Sequence, residues 1–303
     1  MNAQKSLSTQ AWVELGGLAL IWGASFLAIR LALNEVPVMT AVAHRVFWAM
    51  LVLWGYIAIR RLPVPRSPKI WAAFLVMGLL NNVVPFLLMT WGQLHIETGL
   101  TSILNAATAI FGVVVASIFF ADERLTVTRT IGVVLGFFGV ATAIGLDNLM
   151  QFNIRSTAQL AVLAGTLSYA FAGAWARRKL TGLAPQVAAA GMLTGSALVM
   201  VPLALAIDGA PSFQLSATAW GAIAYYAVIA TAGAYLLYYR ILAMAGSGNL
   251  MICTLLVAPV AIVLGALVLG EELAPRAYVG FALLALGLLV LDGRIFAKFR
   301  QAP

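Results

Sequence analysis

The sequence predicts an all-α membrane protein: ten transmembrane helices, arranged as two inverted five-helix repeats with both termini cytoplasmic. Three observations predict this class. First, the 303 residues are 63% hydrophobic and only 9% charged, with a mean hydropathy of +0.99. A soluble chain carries about 25% charged residues, so this one cannot cover an aqueous surface, and it has too much apolar side chain to stay disordered. Second, a bilayer core of about 30 Å takes roughly 20 apolar residues per helix, so ten helices use about 200 residues and leave about 100 for ends and loops. Third, the scarce charges are sorted between alternate loops, and a rare acid recurs at the same place in the two halves.

Cutting the chain at charges, prolines and turn residues gives spans at 12–33, 38–59, 70–91, 99–120, 126–145, 158–178, 186–207, 217–239, 249–269 and 275–296. The first follows a single basic residue, Lys5, outlasts a signal-peptide core and lacks a small-x-small site, so it reads as a retained helix. The second opens after Pro37 and closes on Arg60-Arg61. The third follows a linker with Pro63, Pro65 and Pro68, and is interrupted near its middle by Asn81, Asn82 and Pro85. A proline there leaves a carbonyl unpaired, which a neighbouring amide can satisfy or turn toward a ligand. The fourth carries Thr101, Asn105 and Thr108 at helical spacing and ends before Asp122-Glu123, and the fifth contains Gly132 and Gly136 as a GxxxG. After the Leu146–Thr157 linker, the sixth ends in Arg177-Arg178-Lys179 and the seventh opens at Pro185. The eighth is crowded with Tyr225, Tyr226, Tyr235, Tyr238 and Tyr239. The ninth holds the single cysteine, Cys253, read as a small packing residue, and the tenth carries Gly280 and Gly287.

Ten spans put both ends on one side. Lys5, Arg60, Arg61, Arg66, Lys69, Arg124, Arg129, Arg177, Arg178, Lys179, Arg240, Arg294, Lys298 and Arg300 fall there, fourteen of the eighteen basic residues; only Arg30, Arg155 and Arg276 fall opposite, and Arg45 lies inside the second span. Short basic loops stay cytoplasmic. The net charge of +8 is therefore a topology signal, and nucleic acid is not an expected partner, since its recognition needs a basic surface on a soluble domain.

Shifting the chain by 148 residues sets Glu123, Leu125, Gly132 and Gly139 on Glu271, Leu273, Gly280 and Gly287, and Pro37 on Pro185. The chain accordingly divides into residues 1–148 and 149–303. Because five spans is an odd number, the second unit runs through the membrane upside down, an arrangement recurrent in secondary transporters with a site between the halves near the midplane.

The run Trp22-Gly23-x-Ser25-Phe26 and the tail Pro259-Val260, Gly270-Glu271-Glu272-Leu273, Gly280 and Gly287 resemble the EamA branch of the drug/metabolite transporter superfamily. Within it the chain is similar to bacterial YddG-type exporters of aromatic amino acids. The first half departs from the pattern, with Phe111 where the second half has Pro259 and Ala121-Asp122-Glu123 in place of Gly-Glu. The resemblance implies two five-helix units and a place in the bacterial inner membrane. It says little about substrate, since relatives move sugars, amino acids, nucleotide precursors and drugs.

Polar and aromatic residues at membrane depth are the candidate substrate contacts. His44 and Arg45 lie roughly 10 Å below the outer interface by helix rise, where an ionisable group faces a cavity or a partner; Arg45 suits a carboxylate and His44 titrates near neutrality, against the alternative of a snorkelling arginine. Asn81, Asn82 and Asn105 are set against simple helix-to-helix hydrogen bonding. Trp22, Tyr169 and Tyr235 are mid-span, have polar tips and should point inward, where rings stack on an aromatic or apolar substrate. The glycines of the fifth and tenth spans pack those helices together or form a dimer face, so a monomer or weak dimer is expected. Glu123 and Glu271 in tight turns read as caps on helix dipoles. There is no phosphate-binding GxxxxGK loop and no metal-ligand cluster, so neither ATP nor another cofactor is expected. No acid lies at mid-membrane, which leaves exchange or facilitated movement level with proton coupling. The function expected is a secondary transporter, not an enzyme, exporting small amphipathic metabolites, chiefly aromatic or neutral amino acids. Drug efflux is the alternative, and an intramembrane enzyme or scaffold a remote one.

Overall fold

The computed structural model describes residues 8–123, 125–145, 153–245 and 247–292, and of residues 245, 247–252 and 292 only the backbone. The basic residues Lys5, Arg124, Arg294, Lys298 and Arg300 and the boundary between the halves at 148 and 149 lie outside the described residues.

Every described element is helical: α1 Thr9–Ala32, α2 Val38–Arg60, α3 Pro68–Gly92, α4 Thr98–Phe119, α5 Val127–Ile144, α6 Ile154–Lys179, α7 Pro185–Ile207, α8 Ala217–Met244, α9 Ser247–Leu269 and α10 Pro275–Asp292. Seven of them (α1–α5, α7 and α8) are long and apolar enough to cross a bilayer, and shorter apolar stretches run through α9 and α10. The ends follow local chemistry. Ser8, Thr126, Asn153 and Ser216 cap α1, α5, α6 and α8 by accepting backbone N–H bonds. Pro68, Pro185 and Pro275 open helices, where a missing N–H costs nothing.

Three helices are irregular near the middle. In α3 the expected interruption is a π-helical turn over Leu79–Val83, with the Val84 N–H bonded to the Leu79 carbonyl. Pro85 cannot donate to the carbonyl four residues back and its ring crowds it, so the helix widens ahead of it. In α8 a longer π segment spans Tyr225–Gly233. In α4 a turn at Ala106 and Ala107 separates Thr98–Asn105 from Thr108–Phe119, and the Thr108 hydroxyl donates to the Asn105 carbonyl at 2.7 Å. The sequence pattern contains neither of the last two.

The two halves interleave. One core packs α2 and α3 of the first half against α7 of the second, through Val46, Leu53, Phe74, Leu193 and Met200. Another joins α1 to α8 and α9 through Leu15, Leu18, Ile241 and Val257. A third joins α4 and α5 to α6 and α10 through Ile103, Leu104, Ile110, Val162 and Leu284. Glycines set the close approaches: a Cβ on Gly139 would lie 2.7 Å from the Gly280 carbonyl, and one on Gly287 2.7 Å from the Gly132 carbonyl. The glycines of the fifth and tenth spans thus pack α5 on α10 within the chain.

Candidate functional site

Between the cores lies a cavity of about 580 Å³. Its shape follows from the irregular helices, since the interruptions in α3, α4 and α8 all contribute residues to the wall. Six of the eight predicted contacts line it: Trp22, Arg45, Asn81, Asn105, Tyr169 and Tyr235.

Trp22, Arg45, Asn81 and Tyr235 are each held by a partner on another helix. The Trp22 indole N–H donates to the Ala230 carbonyl at 3.2 Å, inside the π segment of α8, and its ring lies 5.9 Å from that of Tyr238. Arg45 donates through Nε to the Thr231 hydroxyl at 2.9 Å, and its guanidinium carbon sits 3.8 Å from the centre of the Phe86 ring. That threonine in turn donates to the Tyr226 carbonyl five residues back, at 2.7 Å. Asn81 donates to the Tyr235 hydroxyl at 3.2 Å, and the same hydroxyl donates to Asn82 Oδ1 at 3.0 Å. Asn105 stands at the break in α4.

The other two predicted contacts are absent from the wall. Asn82 is wholly buried behind it; its amide donates to the Ser196 hydroxyl at 2.9 Å, so it braces Tyr235 from α7's side. His44 is buried among indoles, accepting from the Trp48 N–H at 3.1 Å on Nδ1 and packing edge-on to Trp220 at 5.9 Å. Residues in succession on a helix point about 100° apart, so of Arg45 and His44, and of Asn81 and Asn82, one member faces the cavity.

Sequence reasoning passed over three lining residues. Thr231 orients Arg45, and Phe86 covers it. Gln93, just past the end of α3, donates to the Phe26 carbonyl at 2.9 Å while its Oε1 is buried without a partner. A glutamine at a span end reads as interfacial, and no spacing rule points it inward.

The cavity is closed at one end. There Phe26, Ile29, Met89, Thr90 and Gln93 are all buried, whereas Gly173, Ala176, Tyr239 and Leu242 at the other end are half-buried or exposed. The open end lies beside Arg177, Arg178, Lys179 and Arg240. On the closed side, acids bind across the halves. Glu271 accepts from the Thr98 N–H (2.9 and 3.0 Å) and hydroxyl (2.6 Å), Asp208 from the Thr40 N–H and hydroxyl (both 2.8 Å), and Glu35 from the Ser216 N–H (2.8 Å) and hydroxyl. Arg155 pairs with Glu97 at 2.7 Å. Glu271 therefore caps a helix, as its position predicts, but that helix is α4 and not the α10 that follows it. Its repeat mate Glu123 instead pairs with Arg129 at 3.1 Å and Arg177 at 3.4 Å, on the open side.

A protein-family model described as the EamA-like transporter family matches the chain twice, over residues 15–145 and 156–291. The chain belongs to the EamA-like transporter family. Among EamA-like relatives, it is 26% identical to a probable terminal-alkyne amino-acid exporter of Streptantibioticus cattleyicolor, over 98% of this chain and 97% of that one. It is 22% identical to the uncharacterized transporter YoaV of Bacillus subtilis, over 90% and 93% of the two chains. A solved crystal structure at 18% identity superposes with a TM-score of 0.68, covering 98% of this chain and all of the other, which shows a shared fold. As an EamA-like transporter this is a multi-pass membrane protein for small molecules.

Proposed function

We infer that the protein is a secondary transporter exporting aromatic and other neutral amino acids by alternating access, with the central cavity as the substrate site. One observation carries the reading: a closed-ended cavity that brings aromatic rings (Trp22, Tyr169, Tyr235, Tyr238) together with amides and a single guanidinium. A side chain can stack on the rings while a carboxylate reaches Arg45. The exporter named among the relatives supports the amino-acid class.

In this reading α6, α9 and α10 cross the membrane with the other seven, residues 1–148 and 149–303 form inverted repeats, and both termini are cytoplasmic. The open end beside Arg177–Lys179 then faces the cytoplasm of a bacterial inner membrane, ready to load. The glycine seam of α5 and α10 is used within the chain, which supports a single chain as the transport unit, with a weak dimer through another face as the alternative. Liposomes bearing the purified protein should accelerate labelled phenylalanine, tryptophan or leucine flux over empty liposomes. Equal flux for every amino acid rejects the substrate class.

A further inference from the structure

Among the described residues, Arg45 is the only charged side chain on the cavity wall, which there holds one positive charge and no carboxylate. The ion pairs among the described residues engage Arg129, Arg155, Arg177 and Arg240, and none engages Arg45. The acids of the closed side are engaged, Glu271, Asp208 and Glu35 at helix starts and Glu97 with Arg155. What touches Arg45 is a neutral hydroxyl, Thr231, and the face of Phe86. These hold the guanidinium in place without neutralising it.

A charge withdrawn from water is costly until it is paired. A monoanion in this cavity brings the net charge to zero, a zwitterion leaves it at one positive, and a cation raises it to two. The acceptors available to an ammonium group, Gln93 Oε1, Thr90 and Asn105, are all neutral. They can accept a hydrogen bond but cannot balance the charge.

We propose that the cavity selects its ligand by a carboxylate on an aromatic or apolar body and does not require the α-amino group, so that aromatic monocarboxylates are substrates alongside amino acids and amines are rejected. This rests on the reading of the cavity as the substrate site.

The test is equilibrium binding to the protein in nanodiscs, which avoids leakage of weak acids through liposomes. Three probes share a ring and a two-carbon chain: 3-phenylpropanoate (anion), L-phenylalanine (zwitterion) and 2-phenylethylamine (cation). The anion should bind at least as tightly as the amino acid, and about tenfold or more tighter than the amine. Arg45→Gln should abolish the preference of anion over amine, and Arg45→Lys should keep it. Amine binding equal to the anion, or an unchanged order in folded Arg45→Gln, overturns the proposal. L-phenylalanine binding without 3-phenylpropanoate overturns it while leaving amino-acid transport intact. The reverse pattern upholds selection by the carboxylate but overturns amino acids as substrates, and no binding of either rejects both. Should both variants fail to fold, the order in the unaltered protein decides.

Discussion

Tyr235 shows how much of the site rests on single atoms. Its hydroxyl accepts from Asn81 on the cavity wall and donates to Asn82 behind it. Tyr235→Phe keeps the ring and removes both bonds; Asn82 Oδ1 keeps the Asn81 amide at 3.2 Å as its remaining donor, and the net loss is about 1 kcal/mol. Transport in liposomes should fall about fivefold, with the amount of folded protein unchanged. Trp22→Ala should cost more, because it removes a stacking surface as well as the bond to Ala230 that ties α1 to α8; near-normal flux in that variant would take Trp22 out of the site. Mid-span aromatics with polar tips were legible in the sequence because hydrocarbon leaves such tips no partner except inside the bundle. Which of two adjacent polar residues faces the ligand was not legible, since that depends on helix rotation. His44 and Asn82 mark that limit.

At the scale of the element, helix starts were readable wherever a proline or a capping side chain set them, as at Pro37, Pro68, Pro185 and Ser216. The π turn in α3 was readable as an interruption because Pro85 forces one. The π segment in α8 and the turn in α4 were not: Ala106 and Ala107 are strong helix formers, and the threonine hydroxyls that bond back at the two breaks, Thr108 to the Asn105 carbonyl and Thr231 to the Tyr226 carbonyl, occur as readily in regular helices. Glycine spacing had two readings, and the α5–α10 seam answers in favour of packing within the chain. Gly280→Val places a side chain against the Gly139 carbonyl and should destabilise the protein by about 3 kcal/mol. Thermal unfolding in detergent should show the loss, while Gly173→Ala, at an open position, should leave the midpoint unmoved.

For the whole molecule, the acids of the closed side are the parts that must let go if the cavity is to open there. Their individual positions at span ends were visible in the sequence; that each reaches across to the opposite half was not, because partners 58 to 181 residues away leave no local pattern. Glu271→Gln trades a carboxylate for a weaker acceptor at the start of α4. In a Cys253→Ala background with Asn105→Cys, an impermeant thiol reagent added on the closed side should then label the cavity faster than with Glu271 intact. The Glu35 carboxyl is held below its ordinary 4.5 chiefly by the Ser216 hydroxyl, then by the Ser216 N–H. Because its pKa is lowered in the folded protein, its contribution is present above about 4.5 and fades as pH falls through the lowered value. Glu35→Gln should therefore speed the same labelling at pH 6 to 8, and the difference from the parent should shrink in strong acid.

Interleaving also has a consequence for how the chain is made. Gly23 of α1 packs directly on Val260 of α9, yet about 240 residues are translated between the end of α1 and the end of α9, which takes roughly 12–48 s at 5–20 residues per second. For that interval the first helix sits in the bilayer with its permanent neighbour still unmade. A nascent chain arrested after α5 should accordingly be a preferred client of the membrane's insertion and quality-control machinery, and should lose that affinity once α9 has emerged.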